Sequence, residues 1–541
     1  MLFNSYAFIL LFLPITLLGV YVLGRGQSGQ SGQLAVGWLI ACSVAFYGIW
    51  NPLSLTIIAP SLVINYFLGR WMSARLARPE PDERGANALM LLGIVFNLCF
   101  LGYFKYKNFL LDSTNWAFGT DWPLSPLLLP LGISFITFQK IAFLVDIRSG
   151  AIRDFSAFDF LIFVFFFPQL IAGPIVHFRE MVPQFKRLPP GLDSQHLAVG
   201  LSLFAIGLFK KAVLADGIAP TANGIFTGVE QGDPVSLVRA WMGAMAYMLQ
   251  IYFDFSGYSD MAVGLARMFG IRLPANFNSP LKSSSIIEFW SRWHLTLTRF
   301  LTAYVYTPLV MHLTRSRMAS GKPVLSRSGK SVNAFAALVA FPTVVTMALS
   351  GIWHGAGLTF ILWGLMHGVL LVINHAWRMW RPDWDKQRYD RLMKPLGLCI
   401  TLLALVLSMV LFRAKTMDAA VAMLKAMIGL QGLSLPQALL TRLGGLAETL
   451  AQWGVQADLT SGSAFMQAWL WILALGGIAL AMPNSLEVMS RFDPALHFQP
   501  ARGSARLVAT LNGRWAVFFG FLFAGGLLSL NRISEFLYWQ F

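Results

Sequence analysis

Residues 335–376 read FAALVAFPTVVTMALSGIWHGAGLTFILWGLMHGVLLVINHA, and this stretch decides the fold. It contains no Asp, Glu, Lys or Arg. Two apolar runs, 335–352 and 357–376, each approach the roughly 20 residues that a helix needs to cross a bilayer. Trp353, His354, Gly355 and Ala356 separate them. The expectation is a pair of membrane helices with a histidine at their junction.

Outward from this pair, comparable runs lie near 6–24, 34–50, 53–69, 87–104, 197–215, 236–253, 395–413, 465–482 and 513–530. The stretch 127–174 is also apolar, but Pro130, Gly132, Pro168, Gly173 and Pro174 interrupt it. Broken backbone at membrane depth is tolerated only where protein or a water-filled cavity satisfies its polar groups. Re-entrant or tilted pieces are therefore expected there, within a total of about eleven to thirteen helices. Of the 541 residues, 56% are hydrophobic and 12% charged. Soluble domains carry about 25% charged residues, so this chain could not cover the surface of a water-soluble fold. The fold class is an all-α polytopic membrane protein.

The N-terminal stretch Met1–Gly24 is apolar from its start and reads as a first membrane helix, not a removable signal. The net charge of +16 sits in short runs between apolar segments. Arg70, Arg75, Arg78 and Arg84 form one run; Arg315, Arg317, Lys322, Arg327 and Lys330 form a second; Arg378, Arg381, Lys386, Arg388, Arg391 and Lys394 form a third. Such runs fit the positive-inside rule and anionic lipid better than nucleic acid, which is excluded as a partner. They place those loops in the cytoplasm and the N-terminus outside, with Lys105 and Lys107 fitting that scheme poorly. The segment 430–464 is poor in basic residues and is expected to face outward. Cys42, Cys99 and Cys399 stand singly, without metal-ligand spacing. The chain reads as one integral-membrane domain: N-terminal helices in 1–126, a core in 127–380, for which the motifs below imply catalysis, and C-terminal helices in 381–541.

Ionisable residues within membrane segments are costly and point by default to function. Five of the eight histidines, His294, His312, His354, His367 and His375, fall between 290 and 380. His354 is flanked by Gly351, Gly355 and Gly357, which permit close approach to its ring. Low dielectric disfavours an imidazolium, and the neutral ring is what a general base needs. The other reading is a structural histidine that bonds across helices. His294, in Glu288-Phe289-Trp290-Ser291-Arg292-Trp293-His294, would share a helical face with Trp290, serving packing, substrate contact or orientation of His354. His367, in Trp363-Gly364-Leu365-Met366-His367-Gly368, reads as helix packing. Asp254, Tyr258 and Asp260 stand in Tyr252–Met261, taken as an irregular segment at the end of a span. They are expensive there unless they bond partners or line water.

In chain order, a set of motifs resembles one family. They are Pro130–Phe135 with Thr137-Phe138-Gln139, Phe167–Ile175, Phe253–Asp260, Asn276–Pro280, Phe289-Trp290, Arg292-Trp293-His294, Trp353-His354-Gly355 and Phe536–Phe541. The chain resembles the membrane-bound O-acyltransferase family, in its bacterial branch of alginate O-acetyltransferase and teichoic-acid D-alanyl transfer proteins. The resemblance implies that His354 is the essential catalytic histidine and His294 a second functional polar residue. It marks Trp353, Trp293, Asp254, Tyr258, Asp260 and Gln139 as substrate-binding candidates. It implies a ring of helices around a central funnel and acetyl-CoA or another thioester as acyl donor, with no bound cofactor; no HxxxH pattern supports a metal. It further implies an exported polysaccharide as acceptor, reached directly or through a periplasmic acetyltransferase partner, and residence in the bacterial inner membrane. The chain departs from close relatives at Phe300–Met311, which lacks their Arg-Asp pair and Gly-Gly turn. From the residues alone, a transporter or channel lined by the same polar groups, or a scaffold for a synthase complex, stands as the alternative.

Overall fold

A computed structural model describes residues 2–25, 29–125, 127–171, 173–325, 331–382, 385–500, 507–531 and 537. The terminal motif Phe536–Phe541, Leu537 apart, lies outside the described residues, as do Ala172, Arg327 and Lys330. The protein is an all-α polytopic membrane protein. Among the described residues, eight helices are long and apolar enough to cross a membrane. They are Gly32–Ile49, Pro52–Leu76, Glu83–Phe118, Ser194–Glu230, Val332–His354, Leu358–Trp380, Gln387–Arg413 and Gly462–Ala481. Phe8–Leu23 and Gly513–Leu528 are shorter apolar helices.

Ten of the eleven apolar runs correspond to these helices. The exception is 236–253, which falls in the 32-residue helix Leu237–Met268. That helix carries the buried polar residues Gln250, Asp254, Ser256, Ser259 and Asp260 and is not among the eight. Tyr252–Met261 is thus regular helix, not the irregular segment expected. The interrupted stretch 127–174 does break up, into Ile133–Arg148, Ala157–Phe165 and Phe167–Leu170. Lys105 and Lys107 lie inside the continuous helical stretch Glu83–Phe118, not in a loop.

The chain divides into two compact units, and two of the cuts, after Phe209 and after Ser256, fall within continuous helical stretches. The first comprises Met1–Phe209, Gly257–Asn276 and Ser485–Gln540. Within it, Asn65 and Asn97 donate to each other's side-chain oxygens at 3.2 and 2.6 Å, joining two lipid-facing helices. Gly200 and Gly264 meet so closely that a Cβ on either would fall 2.6 Å from the other's carbonyl oxygen. Small residues at such crossings let backbones touch where no hydrophobic force drives helices together.

The second unit comprises Lys210–Ser256 and Phe277–Asn484. Its centre is the hairpin of Phe341–His354 and Leu358–Trp380. The two helices are seated on Gly351 and Gly364, whose close approach leaves no room for side chains. A Cβ on Gly364 would lie 2.3 Å from the Met347 carbonyl oxygen, and one on Gly351 2.3 Å from that of Phe360. The segment 430–464 folds as two short helices and a two-stranded parallel sheet, Leu433–Pro436 against Val455–Asp458.

Candidate active site

His354 is the last residue of its helix, and Gly355 leaves it with extended backbone. The histidine is therefore held rigidly from one side while the chain turns away on the other. Its ring is 5% exposed and walled by aromatic groups from three helices. Trp353 stands 4.8 Å away between ring centroids, Trp363 5.1 Å and Phe412 5.2 Å, the last two edge to face. Edge-to-face packing fixes a ring's plane as well as its position.

His294 reaches the same place by a different route. The expected single helix through Trp290 and His294 does not form. A short helix ends at Trp290, Ser291–Trp293 turn, and His294 then caps the helix Leu295–Leu301. The break is anchored by the Asn278 amide, which donates to the Arg292 carbonyl at 2.9 Å, and by an Arg292–Glu288 ion pair at 2.7 Å. His294 itself has φ 44° and ψ 51°, the left-handed region. That conformation costs an L-residue about 1–2 kcal/mol, and backbone strain of this kind gathers at functional sites. Fully buried, its ring is perpendicular to Phe255 at 4.8 Å and lies 6.2 Å from Trp353 and 6.5 Å from His354.

The structure thus brings His294, His354 and Trp353 together. Trp293 stands behind them, stacked on Phe289 at 5.5 Å and edge-on to Phe277 at 5.0 Å. Asp254 belongs to the same unit, and its carboxylate lies 2.7 Å from the Lys211 ammonium, which also pairs with Asp216 at 2.7 Å. The candidates Gln139, Tyr258 and Asp260 belong to the other unit. There Gln139 is buried, Tyr258 stacks on Phe3 at 4.7 Å, and Asp260 accepts a hydrogen bond from Ser485 at 2.7 Å.

Sequence reasoning missed Lys211, Trp363 and Phe412. Lys211 had a readable signal, a cation inside the apolar run 197–215. Trp363 and Phe412 had none, since an aromatic in a membrane helix is ordinary.

Comparison with known proteins follows the same line. Residues 146–326, which include His294, match the model of MBOAT, the membrane-bound O-acyltransferase family. The chain is 38% identical over 462 residues to the peptidoglycan O-acetyltransferase of Helicobacter pylori, covering 80% of this chain and 81% of that protein. It is 38% identical over 434 residues to the probable alginate O-acetylase AlgI of Pseudomonas aeruginosa, covering 79% and 75%. With the teichoic acid D-alanyltransferase of Streptococcus thermophilus it shares 30% identity over 297 residues, covering 52% and 68%.

Proposed function

We propose, for a chain that belongs to the membrane-bound O-acyltransferase family and is therefore an acyltransferase, that it moves an acetyl group from a cytoplasmic thioester to a hydroxyl of an exported polysaccharide. The donor in this reading is acetyl-CoA. The acceptor is reached directly or through a periplasmic acetyltransferase partner, and the protein resides in the bacterial inner membrane. His354 takes the proton of the attacking hydroxyl as its oxygen adds to the thioester carbonyl. The tetrahedral intermediate then collapses, the carbon–sulfur bond breaks, and the proton passes to the departing thiolate. His294 holds His354 in the productive orientation or donates to the developing oxyanion.

One observation carries the reading. Two histidines from separate parts of the chain stand 6.5 Å apart between ring centroids, walled by Trp353, Trp363, Phe412 and Phe255. Two buried imidazoles are costly there, and proton transfer is the chemistry that requires neutral rings so placed. The relatives named for peptidoglycan and alginate support a glycan acceptor over a lipid or protein one.

The test is thioester cleavage by purified protein in nanodiscs, with radiolabelled acetyl-CoA, for wild type, His354→Ala and His294→Ala. The expected outcome is loss of turnover in His354→Ala and a partial fall in His294→Ala. Full turnover by a well-folded His354→Ala variant would remove the histidine from the chemistry.

A further inference from the structure

His367 is fully buried one helical turn beyond Trp363, in the helix that follows His354. The indole N–H of Trp290 donates to its Nδ1 at 3.3 Å. An indole nitrogen can only donate, so Nδ1 carries the lone pair and the ring proton is on Nε2. That Nε2 has no hydrogen-bond partner among the described residues, and neither has the Trp363 indole nitrogen. A buried donor left without a conventional acceptor costs about 1–3 kcal/mol. Leu or Phe would fill the space without that donor but would strand the Trp290 indole N–H, so the histidine is kept with one nitrogen used and the other turned among rings.

The rings around His367 show what the cost could secure. Trp290 is perpendicular to it at 5.4 Å, and Trp363 lies tilted against it at 4.8 Å. Trp363 in turn stands at 88° to His354, 5.1 Å away. The order is Trp290, His367, Trp363, His354, each ring in contact with the next. Edge-on and tilted ring contacts fix a ring's plane as well as its position, so the ladder can transmit orientation. Trp290 fixes the tautomer of His367, His367 fixes the plane of Trp363, and Trp363 forms the wall that sets the plane of His354.

We infer that His367 is a positioning residue for His354, acting through Trp363 and held in one tautomer by Trp290. This rests on the assignment of His354 as the base. It gives a specific task to a histidine that sequence alone would leave to helix packing.

The variants are His367→Phe, which keeps the ring and removes both nitrogens, and His367→Gln, which restores a donor and an acceptor. In the thioester assay His367→Phe is expected to lower kcat by about tenfold or more, as misplacement of a catalytic group does, with KM for acetyl-CoA within about twofold of wild type. His367→Gln is expected to recover most of that loss. The same variants are compared by 15N NMR of histidine-labelled protein. There the His354 ring signals, assigned by their absence from His354→Ala, should move in His367→Phe and return towards wild type in His367→Gln. Unmoved His354 signals in folded His367→Phe overturn the proposal, whether or not turnover is observed. A fall in kcat that His367→Gln does not rescue also overturns it, leaving a packing role. Wild-type protein without thioester turnover would count against the acyl-transfer reading, and the NMR comparison would then decide the positioning role alone.

Discussion

Gly364→Ala adds one methyl group at the tightest point of the hairpin that carries His354. The new Cβ would lie 2.3 Å from the Met347 carbonyl oxygen and 3.0 Å from Gly351 Cα, both backbone atoms of the facing helix. Ordinary contact begins at 3.4 Å, so the helices must part by about 1 Å, because neither neighbour can rotate away as a side chain would. Overpacking of this kind costs roughly 1–3 kcal/mol, which a protein of this size can survive folded. His354 ends one helix and Trp363 precedes Gly364 on the other, so the separation acts directly on the 5.1 Å contact between their rings. A displacement of about 1 Å at a reacting group costs on the order of 100-fold in rate. The assay is acetyl-CoA turnover in nanodiscs alongside thermal unfolding. Gly476→Ala serves as control, because nothing lies within 4 Å of a Cβ there. The expected result is a folded Gly364→Ala protein with turnover down about 100-fold and a control indistinguishable from wild type. Wild-type turnover in Gly364→Ala would refute the claim that hairpin spacing sets the geometry of His354.

Three further outcomes follow from buried polar groups. Lys211→Met leaves Asp216 and Asp254 without the cation that holds both at 2.7 Å. Breaking a buried ion pair by removing one partner costs about 3–5 kcal/mol, read as a lower unfolding temperature that Asp254→Asn in the same chain should partly restore. Asp254→Asn alone separates its two candidate roles: a raised KM with unchanged thermal stability marks substrate contact, and the reverse marks the ion-pair network. Asn97→Leu removes both hydrogen bonds that Asn65 exchanges with it, leaving the Asn65 side-chain oxygen without that donor while its NH2 keeps the Ser61 carbonyl at 2.7 Å. Interhelical polar contacts in membranes are worth about 0.6 kcal/mol on average, so a small fall in unfolding temperature with unchanged turnover is expected, and an unchanged melting curve would count against the pair as a helix clasp.

What the sequence made legible follows from where its information is local. Apolar length alone located ten apolar helices, eight of them long enough to cross a membrane, because the bilayer imposes one threshold on every segment. The single discrepancy, 236–253, arose where polar residues enter a helix that protein buries, so that hydropathy no longer reports burial. His354 was legible since its glycines and its place between two runs are both local features. The geometry of His294 was not. A helical period through Trp290 suited the local composition, yet tertiary contacts to Asn278 and Glu288 break the helix and turn His294 into the left-handed region. The carboxylates show the same limit from the other direction. Asp254 and Asp260 stand six positions apart in what read as an irregular segment, a spacing that fixed no separation; they lie on one helix and in different compact units, one held by Lys211 and the other by Ser485. Spacing alone left their relation open, and the fold supplies each with a separate partner. For His294 and His354 the fold does the opposite, joining two rings that no sequence period connects. A reading of intramembrane polar residues gains most where a costly group meets a second costly group across the fold, a criterion met by the two histidines and by Lys211 with Asp254, but not by the two aspartates with each other.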